Sequence, residues 1–127
     1  MVRQAYDALN REDMATWRDL VDPAVEFIDH TPTPDASGRL HGRDALEQYL
    51  ARFQGEFDAF PAEVIEFTPV GDRIVCTVIW RGTGKGSSVA VEWRGAELVT
   101  VREGKIVRGE SGFPSKEAAL EAAGLAA

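Results

Sequence analysis

The chain has 127 residues, 44% of them hydrophobic and 28% charged, a composition that supports one domain with a real core and has no need of a second. A formal charge of -7, with no stretch that concentrates Lys and Arg, argues against a nucleic-acid backbone or an anionic membrane surface as partner. No apolar run approaches the roughly 18 residues of a membrane span, and the amphipathic start "MVRQAYDALN" is unlike an export signal, so the chain reads as soluble and cytoplasmic.

Val2, Ala5, Tyr6 and Leu9 fall at i, i+3, i+4 and i+7, which predicts a first helix ending in the polar turn "NRED". Met14, Trp17, Leu20 and Val21 form a second helical stripe, stopped at Asp22-Pro23 because the residue before proline avoids helical angles. The strand "VEFID" follows, and then "TPTPDASGRLHG", whose Pro, Gly, Ser and Asp content predicts a surface loop. Leu46, Tyr49, Leu50 and Phe53 mark a third helix, with Gly42 and Asp44 suited to its first turn. Beyond "FQGEFDAFP" the pattern turns extended: "AEVIEFTPV", a Gly71-Asp72 turn, "RIVCTVIWRGTG", "SVAVEWRGAELVTV", a Glu103-Gly104 turn and "KIVRGESGF". Ser115 caps a short C-terminal helix that stops at Gly124. The order predicts an α+β fold in which helices pack on one face of a curved, largely antiparallel sheet.

Several chemistries lack their residues. "GTGKGSS" is glycine-rich, but Gly86 follows Lys85 where a phosphate loop needs Ser or Thr, and a strand follows instead of a helix. No nucleophile elbow, His-Glu-x-x-His or dinucleotide fingerprint occurs. Cys76 alternates with Ile74, Val78 and Trp80 and reads as a small buried hydrophobe. With two histidines and one cysteine a soft-ligand metal site is hard to build, so neither metal nor cofactor is expected.

Two carboxylates break the apolar pattern. Val25, Phe27 and Asp29 share one strand parity, so Asp29 points where Val25 and Phe27 point. On the long strand, Val91, Trp93, Gly95, Glu97, Val99 and Val101 share the more apolar parity, which turns Glu97 inward as well. An acid in an apolar pocket is costly when charged, so it takes a raised pKa, a partner or a solvated cavity. Such a pair suits proton abstraction by one acid while the other, held neutral, supports the oxygen on which charge develops. The alternative for either acid is a structural ion pair with an arginine such as Arg81 or Arg108, or a place at a strand end in water. Tyr6, Trp17, Phe27, Phe53, Phe57, Trp80 and Trp93 would wall such a pocket, His30 would stand at its rim, and Ser111 and Phe113 share an inward parity with Gly109 on the last strand. Small residues there leave volume for a ligand.

"AYDALNREDMATWRDLVDPAVEFID", "HGRDALEQYL", the glycine-aspartate turn and "VTVREGKIVRGESGF" together resemble the SnoaL-like branch of the nuclear transport factor 2-like superfamily. The resemblance implies a cone-shaped sheet around an interior pocket, a homodimer formed through the outer sheet face, and a small hydrophobic or polycyclic ligand. It is not specific to one activity, since isomerases, polyketide cyclases, dehydratases, epoxide hydrolases and non-catalytic domains share that fold. The segment from Glu12-Asp13 to Asp29 is similar to ketosteroid isomerase without a gap, which puts Asp29 on the general-base aspartate. Glu97 falls on the acid of the oxyanion hole, while the oxyanion-hole tyrosine falls on Ala5, with Tyr6 rotated away by roughly 100° of helix. Gly95 stands where the epoxide hydrolases of the superfamily carry arginine, which disfavours that chemistry. Polyketide cyclases use an acid and a histidine in the pocket, a set that Asp29 and Glu97 supply only in part. The resemblance therefore implies an isomerase or cyclase acting next to a carbonyl, with a ligand-binding or assembly domain of the same fold as the alternative.

Overall fold

A computed structural model of the chain describes residues 1–30, 38–56, 61–84, 86 and 89–124, with residues 53–56 as backbone only. In chain order the described residues form α1 (Val2–Asn10), α2 (Met14–Leu20), β1 (Val21–Asp29), β2 (Arg39–His41), α3 (Arg43–Glu56), β3 (Ala62–Val70), β4 (Arg73–Thr83), β5 (Ala90–Arg102), β6 (Lys105–Phe113) and α4 (Lys116–Ala122). The strands make one mixed sheet in the order β2-β1-β6-β5-β4-β3. Only the β1–β6 pair is parallel, with Phe27 beside Gly109 and Asp29 beside Ser111. The other neighbours run antiparallel.

The predicted elements are present, with two corrections. Val21 opens β1 rather than closing α2, with φ -113 and ψ 129, because Pro23 forces Asp22 extended and the extension starts one residue earlier. Part of the expected loop, Arg39–His41, is a short strand that pairs with Glu26–Ile28 of β1. Residues 31–37 of that loop, with Thr31 and Pro32, lie outside the described residues.

Local chemistry explains the boundaries. Asp13 caps α2 by accepting from the Thr16 amide, and Ser115 caps α4 by accepting from the Ala118 amide. The β5–β6 hairpin turns through Glu103 and Gly104, both left-handed at φ 51 and 75, the pattern of a tight hairpin that matches strand twist.

Helices cover both faces of the sheet. On the inner face α1, α2 and α3 bring Val2, Ala5, Tyr6, Trp17 and Leu46 onto Val25, Cys76, Val78, Val99 and Ile106. On the outer face α4 lays Ala119 on Val75, Ala96, Leu98 and Phe113. That second cluster was not anticipated. Ala96 and Leu98 lie on the parity that looked the more polar, yet both are 0% exposed.

Phe113 is also corrected. Leu98 pairs with Glu110 but Ala96 pairs with Phe113, so the ladder gains a residue at the end of β6, where Gly112 adopts φ 87. The slip moves Phe113 to the outer face, away from Gly109 and Ser111.

Candidate functional site

The concave face of the sheet and α1–α3 enclose a cavity of about 600 Å³, within the size range of small-molecule sites. Apolar side chains dominate its wall, among them Val2, Leu9, Val25, Leu46, Val99 and Ile106. Asp29 and Glu97 both line it, so two acids from distant strands meet one space.

Glu97 is held from two sides. Tyr6 of α1 donates its hydroxyl to Oε1, and Trp80 of β4 donates its indole N–H to Oε2 at 3.3 Å. Burial pushes the Glu97 carboxyl above its ordinary range, and the charge of Asp29 pushes the same way, while the two donated hydrogen bonds oppose the shift. The Tyr6 phenol is raised well above its ordinary value by burial and by the adjacent Glu97 charge. Cys76, which faces Glu97 across β4 and β5, is a free thiol pushed up to about 12 by burial and by that same charge. Such a thiol stays protonated and unreactive, so the chemistry of this corner rests on the phenol and the carboxyl.

The geometry fixes where a proton can reside. An indole N–H only donates, so Oε2 of Glu97 must accept. A proton on Glu97 therefore sits on Oε1, facing Tyr6. With Glu97 ionised, the phenol donates to it. With Glu97 neutral, the acid donates to the phenol oxygen, and the phenol hydrogen turns to another acceptor in the cavity that both residues line.

Asp29 has a different partner. Tyr49 of α3 donates its hydroxyl to Asp29 Oδ2 at 2.9 Å, and its ring leans on Phe27 with centroids 5.5 Å apart. Burial first, then the hydrogen bond to Asp29, raises the Tyr49 phenol above its ordinary range. Tyr49 was read from the sequence only as part of a helical stripe. The signal available was a phenol among apolar neighbours on that stripe, since a buried hydroxyl needs a partner.

Of the expected wall residues, Tyr6, Trp17, Phe27, Trp80, Trp93 and Ser111 line the cavity. The tyrosine hydroxyl that meets Glu97 comes from Tyr6, with Ala5 beside it in the wall, so the offset of one residue does not turn the phenol away. Phe113 is on the outer face. His30 stacks on it at 4.7 Å, and its Nε2 lies 3.0 Å from Glu110 Oε1. That histidine follows the parity opposite to Asp29 and joins an outer-face cluster. The side chain of Phe53 and the whole of Phe57 lie outside the described residues. Arg81 is engaged with Glu63 and Glu92, and Arg108 with Glu110.

The Trp93 indole lies over Gly95. A Cβ at position 95 would come 2.7 Å from a ring carbon of Trp93 and 2.3 Å from the Phe113 carbonyl oxygen. The place that would carry an arginine in the epoxide hydrolases is filled by an aromatic ring.

A mixed sheet that does not close, backed by helices and enclosing an apolar cavity with a few polar groups, defines an α+β domain of the nuclear transport factor 2-like fold. The chain belongs to the SnoaL-like domain family, which it matches over residues 2–109. A search of curated protein sequences found no match. Among solved structures it is similar to TerC co-crystallised with polyporic acid, at 20% identity, TM-score 0.77 and coverage of 88% of this chain and 87% of that one. It is similar to a protein of ketosteroid isomerase-like fold from Catenulispora acidiphila in complex with trimethylamine, at 19% identity, TM-score 0.75 and coverage of 98% and 92%. It is also similar to IdmH, a candidate polyketide cyclase from Streptomyces antibioticus, at 24% identity, TM-score 0.75 and coverage of 86% of each chain. At these identities the likeness establishes a shared fold.

Proposed function

We propose that the cavity binds a small apolar carbonyl compound and that Asp29 removes a proton from the carbon next to the carbonyl. The observation that carries this reading is the pairing in one cavity of Asp29 with a Glu97 whose burial favours its neutral form. The Asp29 carboxylate accepts the proton, the C–H electron pair becomes the C=C bond of an enolate, and negative charge moves to the former carbonyl oxygen. The Tyr6 hydroxyl, released from Glu97 when that acid is neutral, donates to this oxygen, with Glu97 donating to Tyr6 behind it. Return of the proton to another carbon gives an isomer, and attack of the enolate on a second carbonyl gives a ring. Residues Trp17, Phe27, Trp80 and Trp93 supply the apolar walls for such a substrate. A homodimer formed through the outer sheet face is part of the same proposal, and light scattering at micromolar concentration tests it.

The test of the chemistry is isomerisation of an unsaturated ketosteroid by the wild type and by Asp29→Asn. The variant is expected to lose on the order of 100-fold or more, the usual share of a general base. Equal rates would remove Asp29 from the mechanism. A ligand-binding domain without turnover is the second reading, and the feature that favours it is Tyr49, whose hydroxyl already donates to Asp29 Oδ2 and so occupies one of the two oxygens a substrate proton would have to reach.

A further inference from the structure

The wall of the cavity is one-sided in charge. Among the described residues its wall carries the acids Glu12, Asp29 and Glu97 and no Lys, Arg or His, the Glu110 carboxylate being turned to the outer face beside Leu98, His30 and Arg108. Arg52 is exposed on α3, with its charge felt at the Tyr49 phenol, and other nearby cations are held away from the wall. Arg18 bridges to Asp44 and Glu47, Arg81 to Glu63 and Glu92, and Arg108 to Glu110, while Arg43 donates to the backbone carbonyls of Arg18 and Val21. The sequences at 31–37 and 53–60, next in the chain to β1 and α3, contain no basic residue. The remaining wall is aromatic and aliphatic, and aromatic faces carry partial negative charge.

An apolar enclosure strengthens every charge interaction within it, because little water screens them. An anionic ligand would lose its hydration, find no cation among the described wall residues, and face Asp29 across a low-dielectric space. An uncharged ligand escapes that cost, and an ammonium group gains both the carboxylate and the indole faces of Trp80 and Trp93. We infer that the cavity selects by charge, accepting apolar molecules that are neutral or carry an ammonium group and rejecting carboxylates, sulfates and phosphates of the same shape. This deepens the reading given under Proposed function, since it names the class of carbonyl compound the site admits. It also gives the acids a role that holds whether or not the bound molecule reacts.

Three probes on one naphthalene frame test the inference: 2-acetylnaphthalene, 2-naphthoate and (2-naphthylmethyl)trimethylammonium. Trp17, Trp80 and Trp93 line the cavity, so binding is read from tryptophan emission at low salt, with calorimetry as the second measurement. The ammonium and the neutral ketone are expected to bind at least about tenfold more tightly than the carboxylate. Asp29→Asn is expected to narrow the gap between ammonium and carboxylate, with little change for the neutral probe. Carboxylate binding as tight as that of the ketone overturns the inference, and so does the absence of binding by all three. None of these readings needs turnover. Charge selection with equal isomerisation rates in wild type and Asp29→Asn would refute the chemistry alone, while Asp29-dependent isomerisation with an anion-tolerant cavity would refute this inference alone.

Discussion

Glu97 holds its position through one phenol and one indole, and its titration links the site to the stability of the whole chain. Its carboxyl titrates above the ordinary 4.5 when folded, chiefly because burial penalises the charge. The sign follows from linkage. The stabilising contribution of the neutral acid is complete below about the unfolded value, where both states hold the proton, and it is lost as pH rises through the raised folded value. Denaturant titrations of wild type should therefore show stability draining away on the alkaline side of 4.5, and Glu97→Gln should flatten that part of the profile. An unchanged profile in the variant would assign the slope to another group. The Gln variant also separates charge from shape, since its carbonyl can still accept from Tyr6 while its amide meets the Trp80 N–H donor to donor.

At the scale of elements, the inner face of the sheet is shaped by glycines under aromatic rings. Gly95 leaves room for the Trp93 indole, and Gly109 sits beneath Phe27, whose ring carbon would come 3.4 Å from an added Cβ. Gly95→Ala should cost roughly 1–3 kcal/mol by denaturant unfolding, because the new methyl meets both the indole and a backbone carbonyl that cannot step aside. It should also shift the tryptophan emission, while Gly109→Ala, in ordinary contact distance, should change both far less. Equal effects at the two positions would mean that the indole moves freely.

Much of this architecture could be read from residue order alone. The stripes at Val2–Leu9, Met14–Leu20 and Leu46–Leu50 gave helices, and alternation placed Asp29 and Glu97 on one face. What alternation could not reveal were events that break it. A bulge is one added residue with no mark except Gly112, and it carried Phe113 to the other side. The burial of Ala96 and Leu98 depends on α4, which follows them at a distance that periodicity does not span. The Tyr6–Glu97 and Tyr49–Asp29 hydrogen bonds join residues 91 and 20 positions apart, and only the folded sheet brings those side chains together.

For the molecule as a whole, the cavity depends on two layers of helix on opposite faces. The outer layer is thin: α4 has seven residues, and Ala119 is its fully buried contact. Ala119→Asp would drive a carboxylate into the cluster of Val75, Leu98 and Phe113, and a loss of about 3 kcal/mol or more is expected from thermal or denaturant unfolding. A near-wild-type midpoint would show that α4 can detach without harm to the sheet that shapes the cavity.

The parallel junction of β1 and β6 carries a consequence for the order of assembly. β1 belongs to the first quarter of the chain, yet one of its two hydrogen-bonded edges is completed by β6, and the contact of His30 with Glu110 spans 80 positions. On a ribosome that releases the chain from its N-terminus, α1 to α3 emerge long before the strand that joins β1 to the rest of the sheet. Closing so long a loop is entropically costly and comes late. The cavity is thus among the last features to form, and a molecule that occupied it would capture the finished fold without templating its early stages.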